Sequence, residues 1–276
     1  MSLALDNVEI TSRSCLPAYK KIYCQNCGAL KVVRLGCGLR SCPDCSAKMR
    51  NRLYNEYMPL LSTIPFERLS MITLTLKINT ESDLFSELKR LKKCWTKLLR
   101  RKDFQCVEGG LGRFEPKFSH KYNAWFLHLH LIVESQGRKV FKIGSKKKCD
   151  LWGRGKTLTF QKLGQLWKEI TGDSYIADIS PVEGGNKGIS GALNYVLKYM
   201  LKVSEIPGDR VSEYDSALFK TRLVFTFGTW YPRSKNYRFE SISKSEFTLK
   251  CPVCGCENWL FEDVLEGMRF YAWNTS

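Results

Sequence analysis

Between Phe126 and Val133 the chain reads Phe-Leu-His-Leu-His-Leu-Ile-Val. Successive side chains on a strand point to opposite faces. A strand here therefore carries Leu127, Leu129, Leu131 and Val133 on one face and His128, His130 and Ile132 on the other. The leucine face has to be buried against other elements. The histidine face sets two imidazoles two residues apart on one surface, close enough to share a metal ion. They are two of only three histidines in 276 residues. Their placement inside an otherwise apolar run therefore marks them as a candidate site.

The flanking segments define the layer that holds this strand. Ser70–Lys77 alternates, with Ile72, Leu74 and Leu76 on one side and Thr73 and Thr75 on the other. Ser82 or Asp83 can cap a helix to about Lys102, with Leu84, Leu88, Leu91, Trp95 and Leu98 as its apolar stripe. Strands are expected at Gly110–Phe118 and Ala124–Val133, with a turn near Ser119–Asn123. Gln136–Lys156 reads as a basic insertion, and its Lys146–Lys148 run as either a solvated loop or a phosphate-tracking arm. A helix from Thr157 or Thr159 to about Ile170, a strand at Ser174–Ile179 and a helix from Lys187 to Lys202 complete the core. This order predicts an α+β fold: a ferredoxin-like (RRM-like, palm) antiparallel sheet with helices on one face and the other face open for chemistry. Three regions are expected: an N-terminal zinc-binding region over 1–60, a core over 61–205, and a C-terminal extension with a second cysteine knuckle over 206–276.

A third ligand for the histidine pair is expected from the neighbouring strand. Phe114 and Phe118 take the core side, so Arg113, Glu115 and Lys117 take the histidine side. Glu115 is the expected ligand. Glu108 has the wrong parity unless a bulge intervenes, and His120 in the turn is the rival. Pro116 is unusual for a paired strand. In the last core helix, at 100° per residue from Tyr195, Tyr199 lies at about +40°, Lys202 at about −20° and Lys198 at about −60°. Ile189, Leu193, Val196, Leu197 and Met200 fall on the opposite side. Two tyrosines and two lysines thus share a face in front of an apolar stripe.

Nine of the 12 cysteines lie near the two ends of the chain. Cys24-x2-Cys27 and Cys42-x2-Cys45, 14 residues apart, have the spacing of a four-cysteine structural zinc site, with Cys37 as a further candidate. Cys251, Cys254 and Cys256 form another knuckle without an obvious second half, and Cys15, Cys94, Cys106 and Cys149 are distant candidates for it. Zinc-ribbon appendages to the core are therefore expected. The 44 Lys and Arg against 27 Asp and Glu give a net charge of +17, which points to a polyanion such as nucleic acid. No apolar run approaches about 18 residues, so no membrane span is expected. Met1–Ile10 lacks the layout of a signal peptide, so the expected location is intracellular, with reduced thiols. Leu151–Thr157 fails as a phosphate loop because Asp150 stands where the first glycine belongs.

In order and spacing, Thr73-Leu74-Thr75, His128-Leu129-His130 and Tyr195-Val196-Leu197-Lys198-Tyr199 resemble the motifs of the HUH endonucleases, in particular rolling-circle replication initiators of the two-tyrosine type. The resemblance covers about Leu69 to Lys202. It implies metal-dependent nicking and joining of single-stranded DNA at the replication origin of a plasmid or virus, through a 5′-phosphotyrosine. Tyr195 and Tyr199 would be the nucleophiles, assisted by Lys198 and Lys202. His128, His130 and Glu115 would hold Mn²⁺ or Mg²⁺. Related plasmid initiators often carry Glu at the first tyrosine position, which leaves Tyr195 as second nucleophile or bystander. Without an ATPase motif, unwinding would fall to a host helicase acting with a host polymerase in the host cytoplasm. Two other functions fit the same features: an HUH-type transposase, and a zinc-ribbon DNA-binding protein without catalysis.

Overall fold

The computed structural model describes residues 18–198, 205–231, 251–256 and 258–261. The chain begins with a hairpin of β1 (Ala18–Cys24) and β2 (Leu30–Leu35). Helix α1 (Pro43–Ser62) starts at Cys42, whose sulfur accepts from the Cys45 amide. Pro43 suits the first turn, where its missing N–H has no helical partner to lose. Strand β3 (Leu69–Thr75) leads to α2 (Leu84–Leu99), capped by Asp83, which accepts from the Ser86 N–H at 2.8 Å. Strands β4 (Val107–Ser119) and β5 (Ala124–Ser135) form the long central hairpin. The basic stretch that follows is a meander of β6 (Gly137–Ile143), β7 (Lys146–Gly153) and β8 (Lys156–Leu158). Cys149, Leu151 and Leu158 anchor this meander in the main core, so it is neither a loop nor a free arm. Then come α3 (Phe160–Thr171), capped by Thr159 and stopped by Gly172 at φ 85°, β9 (Ala177–Pro181) and α4 (Gly185–Lys198). Helix α5 (Val211–Leu218), β10 (Val224–Gly228) and β11 (Trp259–Phe261) follow.

The central sheet is antiparallel throughout, in the order β10-β4-β5-β3-β9. Its two faces bury two separate clusters. Ile72, Leu74, Phe114, Leu127, Leu129 and Leu131 face α2 and α3. Leu69, Leu111, Ile132 and Val224 face α4 and α1, meeting Leu193, Val196, Leu197, Tyr57 and Leu61. Helices therefore cover both faces, which corrects the expectation of one open face. The physical reason lies in the sheet itself: the histidine-bearing face is polar at Thr73, Thr75, Arg113 and Glu115 but apolar toward Leu69, Leu111 and Ile132, and that apolar half needs cover. Among the described residues, no helix is long and apolar enough to cross a membrane.

Two local features position the site. The Phe114 N–H bonds to Leu223 O, on the β10 side, so the nitrogen of Pro116 two residues on points the same way. By then β10 has ended, and the proline leaves no ladder bond unmade. The register slips between Val107 and Gly109, so Glu108 sits in a bulge and bonds Arg68, far along the strand from Glu115. A second small sheet, in the order β11-β1-β2, joins the two ends of the chain through Ile22↔Phe261 and Cys24↔Trp259.

Candidate active site

Antiparallel register places Thr75, His128 and Glu115 on one rung and Thr73, His130 and Arg113 on the next. All six lie on the face toward α4. Each histidine is held through Nδ1: Thr73 Oγ1 stands 3.1 Å from that of His130, and Thr75 Oγ1 stands 2.8 Å from that of His128. The two rings lie nearly parallel, with centroids 5.8 Å apart. With Nδ1 engaged, Nε2 of His128 is turned to the site and Nε2 of His130 meets Glu115, the arrangement by which neighbouring groups aim a metal-binding histidine. Burial holds the His128 pKa down to about 4 from 6.5, with a smaller opposing pull from Glu115. The ring is thus neutral at pH 7, with its lone pair available.

Glu115 is 1% exposed. Its Oε2 meets His130 Nε2 at 2.5 Å, while its buried Oε1 has no hydrogen-bond partner among the described residues and Lys117 Nζ stands 3.8 Å away. A buried carboxylate oxygen without a donor is unfavourable. A cation beside it would remove the deficit, and the mixed imidazole and carboxylate donors suit Mn²⁺, or Mg²⁺ with its waters. The donors are not drawn into one tight cluster. Among the described residues, the groups of three or more donor atoms lying within 4.8 Å of one another are both made of cysteines. Glu108, in its bulge, and His120, exposed in the β4–β5 turn, take no part in the site.

Helix α4 brings Tyr195 over this face. The half-buried Tyr195 ring meets the His130 ring edge-on at 5.4 Å, and Lys198 Nζ lies 4.8 Å from the Tyr195 ring centroid. Ile189, Leu193, Val196 and Leu197 are buried behind them. Tyr199, Lys202 and Met200 lie outside the described residues.

Three further contacts support this arrangement. Arg113, 2% exposed, donates to Val196 O at 3.0 Å and so ties the tyrosine helix to the sheet. Tyr54 OH and Ser190 Oγ are 2.8 Å apart, and Arg50 donates to Asn194 Oδ1, so α1 braces α4 from outside. The apolar spacing Leu53, Tyr57, Leu60 and Leu61, starting after Pro43, is the signal that locates α1. The threonines are legible from the alternation that puts Thr73 and Thr75 on the histidine side.

The cysteines assemble differently from the single site expected of Cys24, Cys27, Cys42 and Cys45. Cys24 and Cys27 gather with Cys251 and Cys254, and Cys42 and Cys45 gather with Cys37. The cause is topological. Pairing of β11 with β1 carries the C-terminal knuckle to the N-terminal one, whereas Cys42 and Cys45 belong to the start of α1. Cys24 Sγ lies 3.4 Å from Cys254 Sγ and 3.0 Å from Cys256 Sγ, and Cys27 Sγ lies 3.5 Å from Cys251 Sγ. These spacings compare with about 3.8 Å between sulfurs around a tetrahedral zinc with 2.3 Å bonds. Cys94, Cys106 and Cys149 are buried elsewhere and do not complete the C-terminal knuckle; Cys15 lies outside the described residues.

A protein-family model described as "Replication protein" matches residues 32–251. No curated protein and no solved structure matches the chain.

Proposed function

The chain belongs to the Replication protein family, which acts in the initiation of rolling-circle replication, and from that premise we propose that it nicks and rejoins single-stranded DNA through a tyrosine. The observation that carries this reading is the meeting of His128, His130 and Glu115 on adjoining rungs with the Tyr195 ring set against His130. It supports reading the chain as an HUH-type initiator, and the sequence pair Tyr195 and Tyr199 supports the two-tyrosine kind. The strand order across β4, β5, β3 and β9, with α2 and α3 on one face, supports a ferredoxin-like core for it.

His128, His130 and Glu115 would hold a divalent cation, Mn²⁺ or Mg²⁺, which when bound would polarise the scissile phosphate. The phenol oxygen of Tyr195 or Tyr199 attacks phosphorus. The bond from phosphorus to the 3′-oxygen breaks, that oxygen leaves and takes up a proton as a free 3′-OH, and the 5′ end stays esterified to the tyrosine. An ordinary phenol has a pKa of about 10, so it needs help to ionise. Lys198, beside the Tyr195 ring, favours the phenolate and the charge that builds in the transition state; Lys202, three residues after Tyr199 in the sequence, would do the same for Tyr199. Because the ester conserves the bond, attack by a 3′-OH reverses the step and joins strands. Two tyrosines let one hold a strand while the other cuts.

Zinc on Cys24, Cys27, Cys251 and Cys254 would have a structural role, closing a ribbon that joins the ends of the chain. The partner is single-stranded DNA at the origin of a plasmid or virus in the host cytoplasm, with a host helicase and polymerase completing replication. The test is cleavage of an origin oligonucleotide by Tyr195→Phe, Tyr199→Phe and the double variant. The double variant is expected to be inactive, and undiminished nicking by it, with no adduct on another residue, refutes the assignment. Preference for transposon ends over a replicon origin would instead mark a transposase.

A further inference from the structure

We propose that Cys37, Cys42 and Cys45 form a second zinc site, independent of the ribbon, and that its metal fixes the start of α1 and through it the position of the tyrosine helix. The three sulfurs lie within 4.8 Å of one another, and Cys37 Sγ and Cys45 Sγ are 3.6 Å apart. That is close to the roughly 3.8 Å expected between thiolates on one tetrahedral zinc. None of the three belongs to the Cys24, Cys27, Cys251 and Cys254 group.

The surrounding chain is built around the sulfurs. A Cβ on Gly36 would stand 2.6 Å from Cys45 Sγ, so a side chain there would push that sulfur out of its present place. Gly38, between Cys37 and the start of α1, takes the left-handed conformation at φ +74°, which glycine adopts without steric cost. Cys42 is the N-cap of α1 and Cys45 lies in its first turn, where the helix N-terminus favours negative sulfur. The loop is pinned from both sides. The Ser41 amide donates to Asp215 Oδ1 at 2.9 Å, Ser41 Oγ donates to Asp215 Oδ2, and Ser46 Oγ donates to Arg40 O at 2.8 Å.

The position of the cluster gives the metal a consequence. Two to three turns along α1, Arg50 and Tyr54 hold Asn194 and Ser190 of α4, next to and one turn before Tyr195. Loss of the metal would loosen the N-terminal turn of α1 and then its grip on α4. Zinc binding displaces the thiol protons into solvent, so no oxidant or reductant is needed. The inference stands apart from the proposed chemistry, because none of its readouts is cleavage.

The experiment is metal analysis of the full chain purified without chelator, with two zinc equivalents expected. Cys251→Ser/Cys254→Ser should keep one, and Cys37→Ser/Cys42→Ser should keep the other. In case the variants fold poorly, cobalt exchange into the unmodified protein gives a second measure: thiolate-to-cobalt absorption should grow linearly to two equivalents. Amide hydrogen exchange should then rise in α4 for Cys37→Ser/Cys42→Ser but not for the ribbon variant. A single zinc lost with Cys251→Ser/Cys254→Ser, saturation at one cobalt, or a Cys37–Cys45 disulfide found in protein isolated under reducing conditions overturns the site. Unchanged exchange in α4 overturns its link to the tyrosine helix.

Discussion

Replacing Glu115 by glutamine should stabilise the metal-free protein and abolish its response to metal. Glu115 is 1% exposed, with one oxygen on His130 Nε2 at 2.5 Å and the other without a donor among the described residues. Burying an ionised group carries a penalty of several kcal/mol. A hydrogen bond to a charged group returns about 1.5–3 kcal/mol of it. Lys117 Nζ, at 3.8 Å and partly exposed, returns little more. Glutamine keeps the shape and can still bond His130, but without a buried charge, so the metal-free variant should gain about 1–3 kcal/mol. The assay is urea unfolding followed by tryptophan fluorescence, first with chelator and then with Mn²⁺. Mn²⁺ at a hundred times its dissociation constant should stabilise the unmodified protein by about 2.7 kcal/mol and leave Glu115→Gln unmoved. A metal-free variant that is less stable than the unmodified protein, together with no Mn²⁺ effect on either, would refute Glu115 as a ligand held in place at the expense of the fold.

Three further outcomes follow from particular residues. Gly110→Ala places a Cβ 2.3 Å from Ile132 O, a backbone atom that cannot step aside, and should destabilise by about 1–3 kcal/mol or more; Gly191→Ala, exposed in α4 with nothing within 4 Å, should stabilise by about 1 kcal/mol. Thermal or urea unfolding of the two checks the opposite signs. For His128, the folded pKa of about 4 lies below the unfolded 6.5, so the unfolded chain takes up the proton first. The effect is nil above pH 6.5 and grows as pH falls to about 4, where the metal-free protein should have lost about 3 kcal/mol through this group; an equally steep pH dependence in His128→Asn contradicts it. Arg113→Gln weakens the tie to Val196 O and should lower kcat for nicking more than it raises KM, with a fall in stability of about 2 kcal/mol; an unchanged kcat with raised KM would place Arg113 in DNA binding instead.

Much of the central sheet is legible in the sequence because its strands alternate. Parity alone places Thr73, Thr75, His128, His130 and Glu115 on one face once β3, β4 and β5 are recognised as neighbours, while the register of the strands decides which of them share a rung. Asp83 and Thr159 announce their helices because short side chains with acceptor oxygens cap them. What local pattern does not carry is long-range partnership. Cys24 finds Cys251 and Cys254 because β11 pairs with β1 across more than two hundred residues, and no spacing rule contains that. Likewise α1 covers half of the histidine face through Tyr57, Leu60 and Leu61, a burial decided by the apolar Leu69, Leu111 and Ile132 beneath it. The lysines of β6 and β7 hide a sheet because their alternating partners Cys149 and Leu151 are few.

The central claim is that a tyrosine of α4, or of the segment just after it, joins covalently to DNA in a metal-dependent step. Its most direct test is incubation of the full chain with a single-stranded origin oligonucleotide, with Mn²⁺ or with chelator, followed by denaturing electrophoresis and mass mapping of any protein–DNA adduct. The account predicts a denaturant-stable adduct that needs Mn²⁺ and carries the 5′ side of the nick on Tyr195 or Tyr199. Nicked DNA with two free ends and no adduct, or an adduct formed equally well by His128→Ala/His130→Ala in chelator, would contradict it.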